Sequence, residues 1–293
     1  MTRLRRFKQV DVFTAEPLKG NALAVILDAE GLTDAEMFAM ARWTNLAETA
    51  FVLKPESPDA DYRVRIFTTD KELPFAGHPT LGTAYALLQS GLKPKNPGHL
   101  IQECGVGLVQ VNQLSEGGQA FSAPPAVMKP LGAEHNALLA TALRGGKIQA
   151  DVTPVAADMG IIWLVVRMES AQDCLNITAD AAAISELQTR LGVNGIAVYG
   201  LHDKNGPADY EVRALIDEDG VLKEDPVTGS ANACLARVLK AGGFPDGAHM
   251  AESYRVRQGT KLQRDGRVTV TFVDGEPWIG GDTCTLIDGT LDL

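Results

Sequence analysis

The chain has 293 residues, 45% of them hydrophobic and 22% charged, which is enough apolar material for one large core or two medium ones. Its formal charge of −10 and pI near 5.0 work against the clustered Lys and Arg that phosphate neutralisation needs, so no nucleic-acid partner is expected. No apolar run approaches the ~18 residues that span a bilayer, and the basic start through Arg3, Arg5, Arg6 and Lys8 is not followed by an apolar segment; a cytoplasmic protein with no membrane partner is expected, with that basic cluster forming a solvated strand edge.

In chain order, Leu23-Ala24-Val25-Ile26-Leu27 reads as a strand leading to a helix capped by Thr33, with Asp34 and Glu36 in its first turn. Glu48-Thr49-Ala50-Phe51-Val52-Leu53 is a second strand by its β-branched and aromatic content. Asp61-Tyr62-Arg63-Val64-Arg65 alternates apolar and charged residues, then gives way to Phe75-Ala76-Gly77-His78-Pro79-Thr80-Leu81-Gly82, a small-residue helix start.

The same order then returns. Trp163-Leu164-Val165-Val166 leads to a helix capped by Thr178, Gly195-Ile196-Ala197-Val198-Tyr199 is strand-like, and Asp209-Tyr210-Glu211-Val212-Arg213 repeats the alternating strand 148 residues on. Glu224-Asp225-Pro226-Val227-Thr228-Gly229-Ser230-Ala231 is the second helix start. Two registers compete here. Matching Pro79 to Pro226 gives the most identities, whereas matching Gly77 to Gly229 also aligns the helix stops Gly91 and Gly243 and is preferred. At the 148-residue offset Phe51 falls on Tyr199 and Glu48 on Ile196, an ionisable group against an aliphatic one.

The repeat predicts an α/β (α+β) chain of two pseudo-symmetric domains, each a sheet wrapped around a central helix. The segment Gln119 to Pro130 is the linker candidate, and the residues from Trp278 onward lack a counterpart and are expected to cross back to the first sheet. The expected domains are therefore 1–122 with 278–293, and 123–277. The cysteines at 104, 174, 234 and 284 show neither metal-ligand nor disulfide spacing, so they are read as small apolar residues and no metal site is expected.

A helix N-terminus offers unpaired N–H groups and partial positive charge, which suit a carboxylate. Gly77 and Gly229, with Ser230, stand at two such starts in equivalent places. Three proton carriers accompany them, each with an ordinary alternative. Glu48 sits among apolar residues, or else is a strand-edge group facing water; Asp225 is held extended by Pro226, or else is a turn or N-cap residue; His78 titrates near neutrality, or else caps or packs. Gly105-Val106-Gly107 lacks the third glycine of a dinucleotide fingerprint.

Together Gly20-Asn21-Ala22, Asn45-Leu46-Ala47-Glu48-Thr49-Ala50-Phe51, Glu72 to Gly82 and Glu224 to Ala231 resemble the PhzF-like phenazine-biosynthesis family, across nearly the whole chain. The resemblance implies the diaminopimelate epimerase-like fold, a homodimer, a biosynthetic role, and a cofactor-independent isomerase that moves a proton on a small carboxylate-bearing substrate in a cleft between two domains. Carried over residue by residue, it makes Glu48, His78 and Asp225 catalytic and Gly77, Gly229 and Ser230 substrate-binding, with Ala76 and Thr228 where related racemases hold paired cysteines. One departure falls after Gln258-Gly259, where the family's Gly-Arg-Pro stretch is replaced by Leu262-Gln263-Arg264-Asp265-Gly266. The alternative is a non-catalytic protein that uses the same helix ends to bind a small carboxylate.

Overall fold

A computed structural model describes residues 3–114, 117–218 and 220–293. The chain divides into two compact units, Met1–Ser122 with Gly280–Leu293, and Ala123–Ile279.

The first unit contains β1 (Leu4–Val12), β2 (Asn21–Ile26), α1 (Asp34–Thr44), β3 (Glu48–Leu53), β4 (Tyr62–Phe67), β5 (Glu72–Leu73), α2 (Gly77–Gln89), β6 (His99–Cys104), β7 (Gly107–Gln113) and β8 (Gln119–Ser122). The second contains β9 (Val127–Pro130), α3 (Asn136–Ala142), β10 (Val155–Asp158), β11 (Ile162–Arg167), α4 (Ala171–Asn176), α5 (Ala181–Leu191), β12 (Gly195–Leu201), β13 (Tyr210–Glu218), β14 (Val221–Asp225), α6 (Gly229–Ala241), β15 (Ser253–Gln258) and β16 (Gly266–Val273). β17 (Glu276–Gly281) carries the chain over the boundary, and β18 (Thr283–Asp292) returns to pair with β1. In the second unit β9 does the same for β10.

Among the described strand pairings, those within each unit are antiparallel except at two places: β2–β3 and β4–β6 in the first unit, β11–β12 and β13–β15 in the second. A parallel pair needs a crossover, and here each crossover carries a helix. The first puts α1, or α4 and α5, on one sheet face; the second puts α2 or α6 on the other. Met37, Met40 and Ala41 of α1 pack on Phe7, Ile26, Phe51 and Phe67, while Ile184 and Leu187 of α5 pack on Leu164, Ile196 and Leu215.

The central helices are buried along most of their length because the sheet wraps them, and small residues allow the approach. At Gly82 an added Cβ would lie 2.7 Å from Leu23 and 2.8 Å from Val12. Both helices run 13 residues and both end alike. Gly91 and Gly243 take positive φ, and the next N–H, of Leu92 or Phe244, donates back to the carbonyl of Leu87 or Leu239. The Gly77-to-Gly229 register is the one the structure adopts.

Four expectations need correction. Thr33 does cap α1 in a reciprocal capping box with Glu36, but α5 is capped by Asp180, not Thr178: the Asp180 carboxylate accepts from Ala183 N–H, and the Thr178 N–H is committed to the Arg144 carbonyl. The basic cluster is not a solvated edge, because β1 is flanked by both β18 and β2. Arg5 is buried and donates to the Asp28 and Glu30 carbonyls, Lys8 meets Asp288 at 2.5 Å, and Arg6 pairs with Asp28, whose carboxyl is held below its usual range by that hydrogen bond. The segment 119–130 consists mostly of strands β8 and β9 around a short connection. Of the cysteines, Cys174 and Cys234 are buried, whereas Cys104 and Cys284 are half-buried, and all four are free thiols.

The alternating strand carries a duplicated ion pair. Arg65 on β4 binds Glu72 through Nε and Nη2, at 2.7 and 2.6 Å; Arg213 on β13 binds Glu224 in the same two-pronged way, at 3.1 and 2.8 Å. The charged face of β4 is half-buried, but Glu211 and Arg213 on β13 are buried, with Arg213 Nη1 also donating to the Cys174 and Ile177 carbonyls. Arg213→Ala is therefore expected to cost about 3–5 kcal/mol by stranding Glu224 and two carbonyls, and Arg65→Ala at most about 1 kcal/mol. Urea unfolding of the two variants checks the contrast, and equal losses would contradict it.

Candidate active site

In the first unit, Ala76 is the N-cap of α2 and makes no side-chain cap bond, so the helix opens at Gly77 and His78 with its leading N–H groups uncapped by a side chain. By contrast α1, α4 and α5 are capped by Thr33, Ser170 and Asp180. Glu48 opens β3, beside Leu23 of β2, on the sheet face that meets α2. Its side chain is 17% exposed, and its Oε2 lies 3.5 Å from Nε2 of the buried His78. The other ring nitrogen, Nδ1, lies 3.5 Å from Asn21 Nδ2.

Burial governs His78. Removal from water pushes the imidazole pKa down to about 3, outweighing the opposing hydrogen bond to the Ala22 backbone. At neutral pH the ring is uncharged, so its contact with Glu48 is a dipolar one and not an ion pair. His78 is not an N-cap residue either.

In the second unit, α6 opens at Gly229 and Ser230 behind Thr228, an N-cap whose side chain does not cap. The Thr228 hydroxyl is engaged elsewhere: it donates to the Asp225 carboxylate and accepts from Gln258 Nε2 at 2.9 Å. Gln258 is fully buried, and its amide holds the whole turn. Oε1 accepts from Thr228 N–H at 3.1 Å and from Asn232 Nδ2 at 3.0 Å, and Nε2 also donates to the Asp225 carbonyl at 3.1 Å. Asp225 ends β14, opposite Ala214, and is neither a free turn residue nor the cap. Behind the turn, Gly259 sits at φ +90° against the Pro226 carbonyl, where a Cβ would come within 2.7 Å. In the first unit Gly105 packs closely on Pro74, where an added Cβ would lie 2.7 Å from its Cα. The departure from the family pattern after Gly259 is a short 3-10 turn, Thr260–Leu262, with Gln263 left-handed at φ +60° and Asp265 bound by Arg257 and Arg267.

The Glu48–Ile196 match does not hold. Phe51 pairs with Arg65 on β4, and Val198 pairs with Arg213 on β13, so with the two arginines equivalent Glu48 corresponds to Gly195. Ile196 points the other way, into the core beneath α5. A one-residue slip reverses the face of every strand residue, and a fixed 148-residue offset hides it.

Thus the first unit brings Glu48 and His78 together with Gly77, and the second ties Asp225 to the turn that starts Gly229 and Ser230. Sequence reasoning missed Trp163, Thr228, Asn232 and Gln258 as members of the site, and left Asn21 in a motif without a role. The Gln258-Gly259 pair was the available signal for the amide clamp. Trp163 carried none, since an aromatic residue in a buried strand reads as core. Ala76 and Thr228 stand immediately before the two helices, so neither position carries a thiol. Among the described residues no group of three His, Cys, Asp or Glu side chains is placed to hold a metal ion, and no helix is long and apolar enough to cross a membrane.

The His78 imidazole binds a proton near pH 6.5 when unfolded but only near pH 3 when folded, so acidification through that window favours the unfolded chain. Stability is expected to fall between about pH 6.5 and pH 3, and His78→Gln to flatten the slope by up to about 1.4 kcal/mol per pH unit. Denaturant unfolding of both chains across that range measures the difference; parallel curves would contradict a neutral buried ring.

A family model for phenazine biosynthesis-like proteins matches residues 10–288. The chain is 34% identical to antisense-enhancing sequence 1 of Schizosaccharomyces pombe, with 97% of each chain covered. It is 32% identical to trans-2,3-dihydro-3-hydroxyanthranilate isomerase of Pseudomonas aeruginosa, covering 90% of this chain and 89% of that one. Its fold matches the crystal structure of a PhzF-family phenazine biosynthesis protein from Bacillus anthracis with a TM-score of 0.84 at 24% identity, covering 99% of this chain and 100% of that one.

Proposed function

The chain belongs to the phenazine biosynthesis-like family and is an isomerase, and from that premise we propose that it shifts a proton on a small carboxylate-bearing substrate, without a cofactor, using Glu48 as the acid and base. The observation that carries this reading is the 3.5 Å approach of Glu48 to a buried, neutral His78 at the uncapped start of α2.

In the proposed reaction the Glu48 carboxylate takes a proton from a carbon conjugated with the substrate carboxylate, and the electron pair left behind delocalises as an enolate-like anion. The N–H groups at Gly77 and at Gly229 and Ser230 stabilise that negative charge where it develops. Glu48, now protonated, returns the hydrogen at a second carbon of the conjugated system and regains its starting state. His78 supplies a polar but uncharged neighbour to Glu48. An imidazolium there would favour the carboxylate over its protonated form and oppose proton uptake. Asp225, oriented by Thr228 and Gln258, accepts a hydrogen bond from a substrate amine or hydroxyl and fixes the carbon that faces Glu48.

The compound named for the Pseudomonas aeruginosa relative, trans-2,3-dihydro-3-hydroxyanthranilate, is the first substrate to try. In D₂O the unmodified chain should incorporate deuterium into product, and Glu48→Gln should lower the rate at least about 10²-fold while leaving the thermal midpoint within a few degrees. Full activity in Glu48→Gln removes the assignment. Binding that survives both Glu48→Gln and Asp225→Asn, with no isotope exchange in any bound compound, favours the non-catalytic carboxylate-binding alternative.

A further inference from the structure

The two halves differ most where they should be most alike. His78 and Ser230 are each the second residue of a 13-residue central helix. Glu48 opens β3 and Gly195 opens β12, and their parallel neighbours on β2 and β11 are Leu23 and Trp163. The first unit therefore holds Leu23, Glu48 and His78 where the second holds Trp163, Gly195 and Ser230. At Gly195 a Cβ would lie 2.6 Å from Trp163 Cζ3 and 2.8 Å from the Leu215 carbonyl oxygen. The indole has taken the space of the missing side chain, and it is buried. Its Nε1 donates to Ser230 Oγ at 3.0 Å.

We propose that Trp163 is a positioning residue that sets Ser230 as a hydrogen-bond donor to an acceptor oxygen of the bound substrate. An indole N–H can only donate, so it occupies a lone pair of the hydroxyl and turns the hydroxyl hydrogen away from itself. Among the described residues the Ser230 hydroxyl has no second hydrogen-bond partner, and Ser230 is half-buried, within reach of a ligand. A hydroxyl that already accepts one hydrogen bond is a stronger donor in the next, and one whose rotamer is fixed loses less entropy on binding. The hydroxyl hydrogen is thereby directed toward an anionic oxygen. This rests on the reading that the start of α6 receives the substrate carboxylate.

The test is a double-mutant cycle with 2-aminobenzoate as the anionic probe, titrated into the full chain. Ser230→Ala is expected to weaken binding about tenfold and Trp163→Phe several-fold, while Trp163→Phe in the Ser230→Ala background has no further effect. Losses that multiply, an unaltered affinity in Trp163→Phe, or no saturable binding by the unmodified chain each overturn the proposal. A second measurement avoids any change in the core. The ¹⁵N-labelled indole resonance of Trp163, assigned with Trp43→Phe and Trp278→Phe chains, should move with the probe in the unmodified chain and stay still in Ser230→Ala. An indole signal that stays still at saturation, or moves equally in both chains, overturns it as well. The two readings fail separately. A coupled cycle with no deuterium exchange sinks the isomerase and leaves the Trp163 role standing, whereas exchange with independent losses sinks the Trp163 role alone.

Discussion

The two central helices, α2 and α6, begin without a side-chain cap, and the proposed chemistry depends on what their leading N–H groups bind. A buried helix end with open donors costs free energy unless a partner arrives. Three outer helices are capped in the ordinary way, by Thr33, Ser170 and Asp180, and α3 instead continues from a 3-10 turn at Ala133–His135, so the capping repertoire is available to the chain. At α2 the cap position holds Ala76, which has nothing to offer. At α6 it holds Thr228, an able capping residue diverted to Asp225 and Gln258. Two different routes lead to the same uncapped state, the state that the proposed carboxylate would fill.

Holding such ends in place requires a rigid surround, and the sheet supplies it. Small residues let each sheet close on its central helix, and matched Gly-carbonyl stops end both helices after 13 residues. The hairpin that delivers each helix is clasped by an Arg–Glu fork, half-exposed in the first unit and buried in the second. The deeper fork belongs to the half whose turn must hold Asp225. There a single buried amide, Gln258, satisfies four groups of the turn at once, so the turn cannot relax without stranding several of them.

Much of this was legible in the sequence, and what escaped did so for definable reasons. Helix length is a strong constraint, so Gly91 and Gly243 located both central helices against a competing match with more identities. Glu48, His78 and Asp225 stood out because ionisable groups amid small and apolar residues are conspicuous. The counterpart of Glu48 did not, because strand residues alternate faces and a single-residue change between one strand pair and the next moves the match from Ile196 to Gly195. The cap of α5 was misplaced because Thr178 and Asp180 are both competent, and only the commitment of the Thr178 N–H to Arg144 decides between them. Burial of the N-terminal Arg5 and Lys8 was hidden because their partners, Asp28, Glu30 and Asp288, come from other strands or from the far end of the chain.

The division of labour follows from space as much as from charge. Glu48 stands beside α2 with Leu23 as its neighbour on β2 and an uncharged His78 3.5 Å away. Had the second unit kept the same trio, it would carry a glutamate at position 195 in addition to Asp225. Replacing Leu and Glu with Trp and Gly keeps the volume filled and removes the ionisable group at a stroke. The indole that fills the gap is also a donor, to Ser230 Oγ, so on the proposed reading the second unit orients an oxygen where the first moves a proton. The two helix starts are of one kind, and on the proposed reading one strand position separates their tasks.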